Sequence, residues 1–233
     1  MRSAFFRGMS HGIPIGLGYL SVSFGFGIMA SRLGISALAA GIISLTNLTS
    51  AGQAAGIEII AAAGGIIEMV LVQLTINLRY SLMALSLSQK LAPGFSTKHR
   101  LCASFGITDE IFAVCASQKE PLTPWYMYGM ILVASIGWVT GTVLGASVGS
   151  IVPAGISAAL GILLYGMFIA IIIPPAKIER SVLAVILTAA AMSVIIKFCF
   201  PGVSSGFSII ICGIGASALG ALLFPVKDEE ENS

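Results

Sequence analysis

The chain has 233 residues, of which 57% are hydrophobic and 9% charged, and its net charge is +2. A soluble domain carries about 25% charged residues, so this composition cannot build a water-facing surface, and the small net charge excludes a nucleic-acid partner. In lipid every backbone polar group must be paired internally, which leaves helices or closed barrels. Barrel strands alternate apolar and polar residues over about 10 positions, whereas this chain has long continuous apolar runs. The expected fold class is all-α, a polytopic helical membrane protein.

Arg2 and Arg7 precede an apolar run that continues to Ala30. The run is long for the apolar core of a signal peptide and further spans follow, so 13–31 reads as the first membrane helix. The next segment, 35–62, is apolar but interrupted at Asn47, Thr49, Ser50, Gly52 and Gln53. A span over 64–89 carries Glu68 and the motif Asn77-Leu-Arg-Tyr80. After a basic loop at 90–100, the short segment 101–118 is interrupted by Asp109 and Glu110. From Pro121 to Ala176 there is no charged side chain, which is room for two spans, 125–148 and 157–173. Spans at 181–199 and 204–224 complete about six transmembrane helices at roughly 20 residues each. The two interrupted segments read as broken or re-entrant. Residues 1–226 form one transmembrane domain, and 227–233, with the run Asp228 to Glu231, form an acidic cytoplasmic tail.

Basic loops favour the cytoplasmic side. With a cytoplasmic N-terminus and re-entrant 35–62 and 101–118, Lys90, Lys98, Arg100, Lys119, Lys177, Arg180 and Lys227 fall inside with Arg2 and Arg7. Only Arg32 and Lys197 then fall outside. A full crossing by 35–62 would put the basic loop 90–100 outside. Both termini are therefore expected in the cytoplasm.

Gly137, Gly141, Gly145 and Gly149 recur every fourth residue and share one helix face, where a neighbouring backbone can approach closely. Spacing does not say whether that neighbour is in this chain or in a partner. An echo of the first span's glycine pattern in 129–149 is too faint to define a repeat. Gly145-Ala-Ser147-Val-Gly149 matches the nucleophile-elbow pattern, but that device needs a strand, a sharp turn, a histidine and an acid. Here Ser147 lies in an apolar helix, and His11 and His99 are the histidines of the chain. Cys102, Cys115, Cys199 and Cys212 form no Cys-x-x-Cys pair and read as buried free thiols. Met83, Met127, Met130 and Met167 read as core residues, and Trp125, Tyr126 and Tyr128 as interfacial anchors. No metal, cofactor or nucleotide site is expected, and the chain does not read as an enzyme.

Ionisable residues within spans are costly and mark function by default. Glu58, Glu68, Arg79, Asp109 and Glu110 qualify. Arg79 needs a partner, and Glu68 and Asp109 are both open to it. Thr108 or Asp109 could cap a helix, and two acids in a first turn suit the helix dipole. Asn47 to Gln53 could expose free backbone groups at membrane depth, where a half-helix N-terminus attracts a carboxylate.

These residues, in order, resemble a family. Phe24-Gly-Phe-Gly27, Asn47-Leu-Thr-Ser-Ala-Gly-Gln53, Asn77-Leu-Arg-Tyr80 running into Ser81 to Ser88, and Thr108-Asp-Glu110 look like the AzlC family of branched-chain amino acid permeases. The interrupted segment departs from the family's Phe-Ala-Gly-Ala-x-Gln pattern by placing Thr49 and Ser50 at small positions while keeping Gln53. The resemblance implies an exporter of branched-chain and related hydrophobic amino acids, and a small AzlD-like membrane subunit as partner. A zwitterionic substrate needs a partner for each charge. Arg79 or the half-helix amides suit the carboxylate, and Asp109 or Glu110 the ammonium. The expected substrate-binding residues are Asn47, Ser50, Gln53, Asn77, Arg79, Asp109 and Glu110, and the expected function is secondary export coupled to an ion, most plausibly the proton. The alternatives are a channel or a non-transporting assembly subunit.

Overall fold

The structure, a computed structural model, describes residues 2–149, 151–153, 155, 166, 169 and 172–225. The span expected at 157–173 and the acidic tail 227–233 fall largely or wholly outside the described residues. The described helices are α1 (Arg2–Arg32), α2 (Ala37–Thr46), α3 (Ser50–Ala61), α4 (Ile66–Ser88), α5 (Thr97–Ser104), α6 (Asp109–Ser117), α7 (Pro124–Val148), α8 (Arg180–Cys199) and α9 (Ser205–Leu223). Of these, α1, α4, α7, α8 and α9 are long and apolar enough to cross a membrane. Five of the expected spans are thus present among the described residues, with ends shifted by one or two residues except at the start of α1.

Hydroxyl residues start most of these helices. Ser36, Thr49, Ser96, Thr108, Thr123 and Ser204 each accept from the backbone N–H three residues on. A side-chain oxygen thereby replaces water at a helix start that lipid could not satisfy.

The framework is a parallel pair, α1 and α7. Gly8 and Gly12 lie on the backbone of Tyr126 and Met130, Gly137 on Gly16, Gly141 on Leu20, and Gly145 on Phe24. The neighbour of the glycine face is therefore α1 of the same chain. Glycines on both helices let the backbones touch along their whole length, so the echo between the two spans reflects their packing on each other. The same packing explains why α1 begins at Arg2. Its first turns rest on α7 and the loop before it: His11 Nδ1 lies 2.8 Å from the Tyr126 hydroxyl, and Arg7 pairs with Glu120 of that loop at 2.8 Å.

We call the end where α1 starts proximal and the end where it finishes distal. The helix α4 runs opposite to α1. Just beyond its C-terminus Lys90 donates to the carbonyls of Ala116 and Gln118, and Leu91 pairs with Leu122, all at the proximal end. Its first turn meets Ser204 through Glu68. Both α1 and α7 finish at the distal end, and α4 starts there. The intervening α2–α3 therefore enters and leaves distally. Along α2 the contacts with α7 descend from Gly41 on Val143 to Ser44 on Thr142, and along α3 the contacts with α4 return from Gly52 on Asn77 to Gly56 on Met69. Likewise α5–α6 enters and leaves proximally. Two helical hairpins thus reach toward each other from opposite ends of the bundle, as the basic-loop argument requires. The outer pair α8 and α9 packs through Gly215 on Met192 and Gly220 on Val185, which puts Arg180 at the proximal end and Lys197 at the distal end.

Some details differ from expectation. Tyr126 is not a surface anchor: it is 1% exposed and turned onto α1, while Trp125 and Tyr128 stack edge-on nearer the surface with His99. All four cysteines are free, with Cys115 and Cys212 buried but Cys102 and Cys199 on the outer surface. Ser147 lies within the unbroken α7 and donates to the Val143 carbonyl.

Candidate functional site

The two hairpin tips meet near the middle of α1, α4 and α7. The distal hairpin breaks at Asn47–Leu48–Thr49, between the end of α2 and the start of α3. The proximal hairpin turns at Phe105–Thr108, just before α6. Between them lies a cavity of about 10 Å³ lined by Tyr19, Leu48, Ser50, Tyr80, Thr108, Asp109, Glu110 and Trp138. That is room for about one water molecule.

Arg79 pairs with Asp109, not Glu68, at 3.0 Å. Its Nη2 also donates to the Tyr80 hydroxyl at 3.3 Å. The guanidinium carbon lies 5.0 Å from the Tyr80 ring centre, and Nε is buried without a partner among the described residues. The Tyr80 hydroxyl donates to Thr49 Oγ1 at 3.1 Å, and Thr49 donates to Asn77 Oδ1 at 2.9 Å. Asn77 in turn donates to Gln73, whose amide donates to the Gly52 carbonyl at 2.7 Å. On the other side Tyr19 Oη lies 2.6 Å from Thr108 Oγ1 and also bonds Glu110. One polar network therefore runs from the proximal tip through α4 to the distal tip. In a low-dielectric interior such a network is strong where its members are satisfied, as all the named ones are but Arg79 Nε.

The residues expected at the site divide into groups. Ser50, Asp109 and Glu110 line the cavity. Arg79 and Asn77 stand behind it and hold what does. Asn47 and Gln53 line a separate cavity of about 280 Å³ between α2, α3 and α4. Gln53, 1% exposed, is a clamp on the break. Its amide nitrogen donates to the carbonyls of Ile43 and Asn47, the free end of α2, and its oxygen accepts from Trp138 Nε1 at 3.1 Å and from Ser44. Glu68 accepts from Ser204, and Glu58 is half-buried on α3, away from the cavity.

Gln53→Leu keeps the volume and strips those bonds. The buried Trp138 indole loses its partner while the Asn47 carbonyl keeps the Thr49 N–H, which costs about 1–3 kcal/mol. A detergent thermal-unfolding midpoint equal to that of the parent chain would refute the clamp.

Sequence reasoning missed Tyr19, Tyr80 and Trp138 as cavity residues. Tyr80 at least adjoins Arg79 in a polar motif. Tyr19 and Trp138 lie in apolar glycine-rich spans where aromatics are ordinary, so no local signal marks them. Thr108, read as a helix cap, is that and also a cavity wall.

A family model described as AzlC protein matches residues 14–152, the stretch that holds most of the α1–α7 framework and both hairpins. An uncharacterized membrane protein of Archaeoglobus fulgidus is 31% identical over 179 residues, covering 76% of this chain and 78% of that one. The inner membrane protein YgaZ of Escherichia coli is 26% identical over 235 residues, covering 97% and 95%. The branched-chain amino acid transport protein AzlC of Bacillus subtilis is 26% identical over 153 residues, covering 64% and 59%. No solved structure matches the chain.

Proposed function

The chain belongs to the AzlC family, and on that premise we propose that it is the large subunit of a secondary transporter that exports branched-chain or related hydrophobic amino acids, with protons as the coupling ion. The coarse role, transport by a multi-pass membrane protein, follows from the family and from the apolar helices. The finer reading rests on one observation above all. A paired Arg79–Asp109 and a second acid, Glu110, stand at the point where two half-helix N-termini meet in the middle of the bundle.

That arrangement suits a zwitterion. Asp109 and Glu110 offer two negative charges to an ammonium group. Arg79, with its unpartnered Nε, and the N-terminal turn of α3 at Ser50 offer donors to a carboxylate. The first turn of α3 carries no acid of its own, unlike that of α6, so its dipole is free to meet the substrate. Leu48 and Trp138 supply apolar wall. A cavity of about 10 Å³ is too small for an amino acid, so the tips separate to admit one.

Proton coupling has a concrete carrier. A phenol has one proton to donate. When Glu110 is ionised, Tyr19 donates to it. When Glu110 is protonated, the acid donates to Tyr19, and the phenol proton turns to Thr108. Protonation of one carboxyl thus reverses a chain of hydrogen bonds reaching the proximal tip.

Orientation follows from charge. Arg2, Arg7, Lys90, Lys98, Arg100, Lys119 and Arg180 gather at the proximal end, against Arg32 and Lys197 distally, so the proximal end and both termini are cytoplasmic. A small AzlD-like membrane subunit completes the transporter. The test is export of labelled valine, leucine and methionine from loaded cells, with and without that subunit. Export above that of empty cells is expected for at least one of the three. Equality with empty cells for all three would overturn the substrate assignment.

A further inference from the structure

Resting on the reading of the central cavity as the transport site, we propose that the two hairpin tips are its two gates, and that a reciprocal pair of tyrosine–threonine hydrogen bonds latches them, Tyr80 to Thr49 at the distal gate and Tyr19 to Thr108 at the proximal one.

The first six helices form two units of inverted orientation. A span, α1, ends distally and is followed by a hairpin that enters distally. A second span, α4, runs the other way, ends proximally and is followed by a hairpin that enters proximally. In each hairpin the second helix starts at a threonine cap within a similar triplet, Leu48-Thr49-Ser50 in one and Ile107-Thr108-Asp109 in the other. Each span carries a tyrosine near its middle, and Tyr19 precedes Thr49 by nearly the same length of chain as Tyr80 precedes Thr108. Secondary transporters are often built from two such units inverted in the membrane, with the substrate site at their junction.

The hydrogen bonds cross between the units. Tyr19 of the first unit reaches Thr108 of the second at 2.6 Å, and Tyr80 of the second reaches Thr49 of the first at 3.1 Å. Each unit's span therefore holds the other unit's hairpin. The helix-start bond alone needs only the threonine. The tyrosine partner adds a tie between tip and span that a static bundle does not require.

The space around the tips has the form a two-gate carrier needs. The central cavity is about 10 Å³ and lined by both tyrosines. On its distal side is the cavity of about 280 Å³ between α2, α3 and α4. On its proximal side is one of about 210 Å³ lined by Ala84, Leu87, Phe95, Ala103, Ile107 and Met127 among others. Each of these cavities reaches a tip, at Ile107 or at Asn47, and neither shares a lining residue with the central cavity, so both gates are shut. The latches also touch the charged pair. Tyr80 accepts from Arg79 and Tyr19 bonds the neighbouring acid Glu110, so a substrate that draws on both Arg79 and Glu110 alters both latches.

The test uses Ser50→Cys as a reporter in the cavity, with Leu48→Cys as a second. An impermeant thiol reagent is applied to right-side-out and everted vesicles holding the full chain, and labelling is taken as the increment over the same chain without the reporter. Lys119→Cys and Leu33→Cys fix which face is which. Tyr80→Phe is expected to raise labelling from the distal face, and Tyr19→Phe from the proximal face. The latch bond alone accounts for an increase of about two- to tenfold, and each variant also loses the hydroxyl's second bond, to Arg79 or to Glu110. Phenylalanine keeps the ring, and a detergent melting curve like that of the parent chain identifies variants that still fold. Opposite faces for the two variants support the gates. The same face for both, or no change in either, overturns them. Absence of amino-acid export together with opposite-face labelling would remove the substrate assignment and still support the gates.

Discussion

Arg79→Ala and Asp109→Asn are each expected to lower export by at least tenfold in protein that still reaches the membrane. The two side chains are 3.0 Å apart and only 36% and 27% exposed. Breaking a fully buried ion pair costs about 3–5 kcal/mol because the survivor is left charged and unpaired. Here partial exposure screens the loss, so a penalty above about 1.4 kcal/mol, a factor of ten, is the safer expectation. Two further variants separate a transport role from a structural one. Arg79→Lys should rescue poorly, because a single ammonium cannot bond Asp109 and Tyr80 together as the guanidinium fork does. The double variant Arg79→Ala with Asp109→Asn should be no worse than the single changes, since each already removes the shared interaction. The readout is initial export rate per unit of membrane-inserted protein. Unchanged rates in both single variants would mean the pair is not part of the pathway.

The largest effect on stability is expected at Gly141. A Cβ there would lie on the Leu20 carbonyl and the Ser23 hydroxyl of α1. The Ser23 hydroxyl can turn aside, but the Leu20 carbonyl cannot retreat, because the neighbouring turns of α1 rest on Gly137 and Gly145 in the same way. Gly141→Leu must therefore push two helices apart over several turns. Overpacking a core costs about 1–3 kcal/mol where side chains can shift. Here the obstacle is backbone, so a loss above about 4 kcal/mol is expected, of the size that marks a broken framework. Gly18→Leu is the control, since a Cβ at Gly18 meets nothing within 4 Å. Folded yield in membranes and the thermal midpoint in detergent should collapse for the first and stay level for the second. A well-folded Gly141→Leu chain would mean that the close α1–α7 contact is not what holds the tips in register.

Much of this was legible because lipid leaves few choices. An apolar run of the right length becomes a helix, and a run broken by Asn47 to Gln53 or by Asp109 and Glu110 stands out against it. Basic residues in the loops favour a broken or re-entrant 35–62 and a re-entrant or interfacial 101–118, since a full crossing by 35–62 puts Lys90, Lys98 and Arg100 outside; the hairpins themselves come from the fold. The glycine spacing showed that α7 packs tightly. The resemblance to the AzlC family, carried by a few polar motifs, agrees with the match over 14–152.

Other features needed three dimensions. Arg79 had two possible acidic partners, and only the folding of the proximal tip against α4 chose Asp109. Gln53 had the look of a substrate ligand, and in the fold its amide nitrogen holds the end of α2 while its oxygen accepts from Trp138 and Ser44. Tyr19 and Tyr80 drew no attention as a pair because they are far apart in the chain and each is unremarkable in its own helix.

The sequence by itself determined that this chain lives in a membrane, where its helices run, where they break and which ends carry the positive charge. Those properties depend on local composition and on the cost of an unpaired polar group in lipid, and both can be read residue by residue. Only the tertiary structure decided which helix fills the glycine groove, which acid neutralises Arg79 and which tyrosine reaches which hairpin tip. Those choices depend on side chains remote in sequence coming within 3 Å or so of each other, and no local pattern encodes the distance.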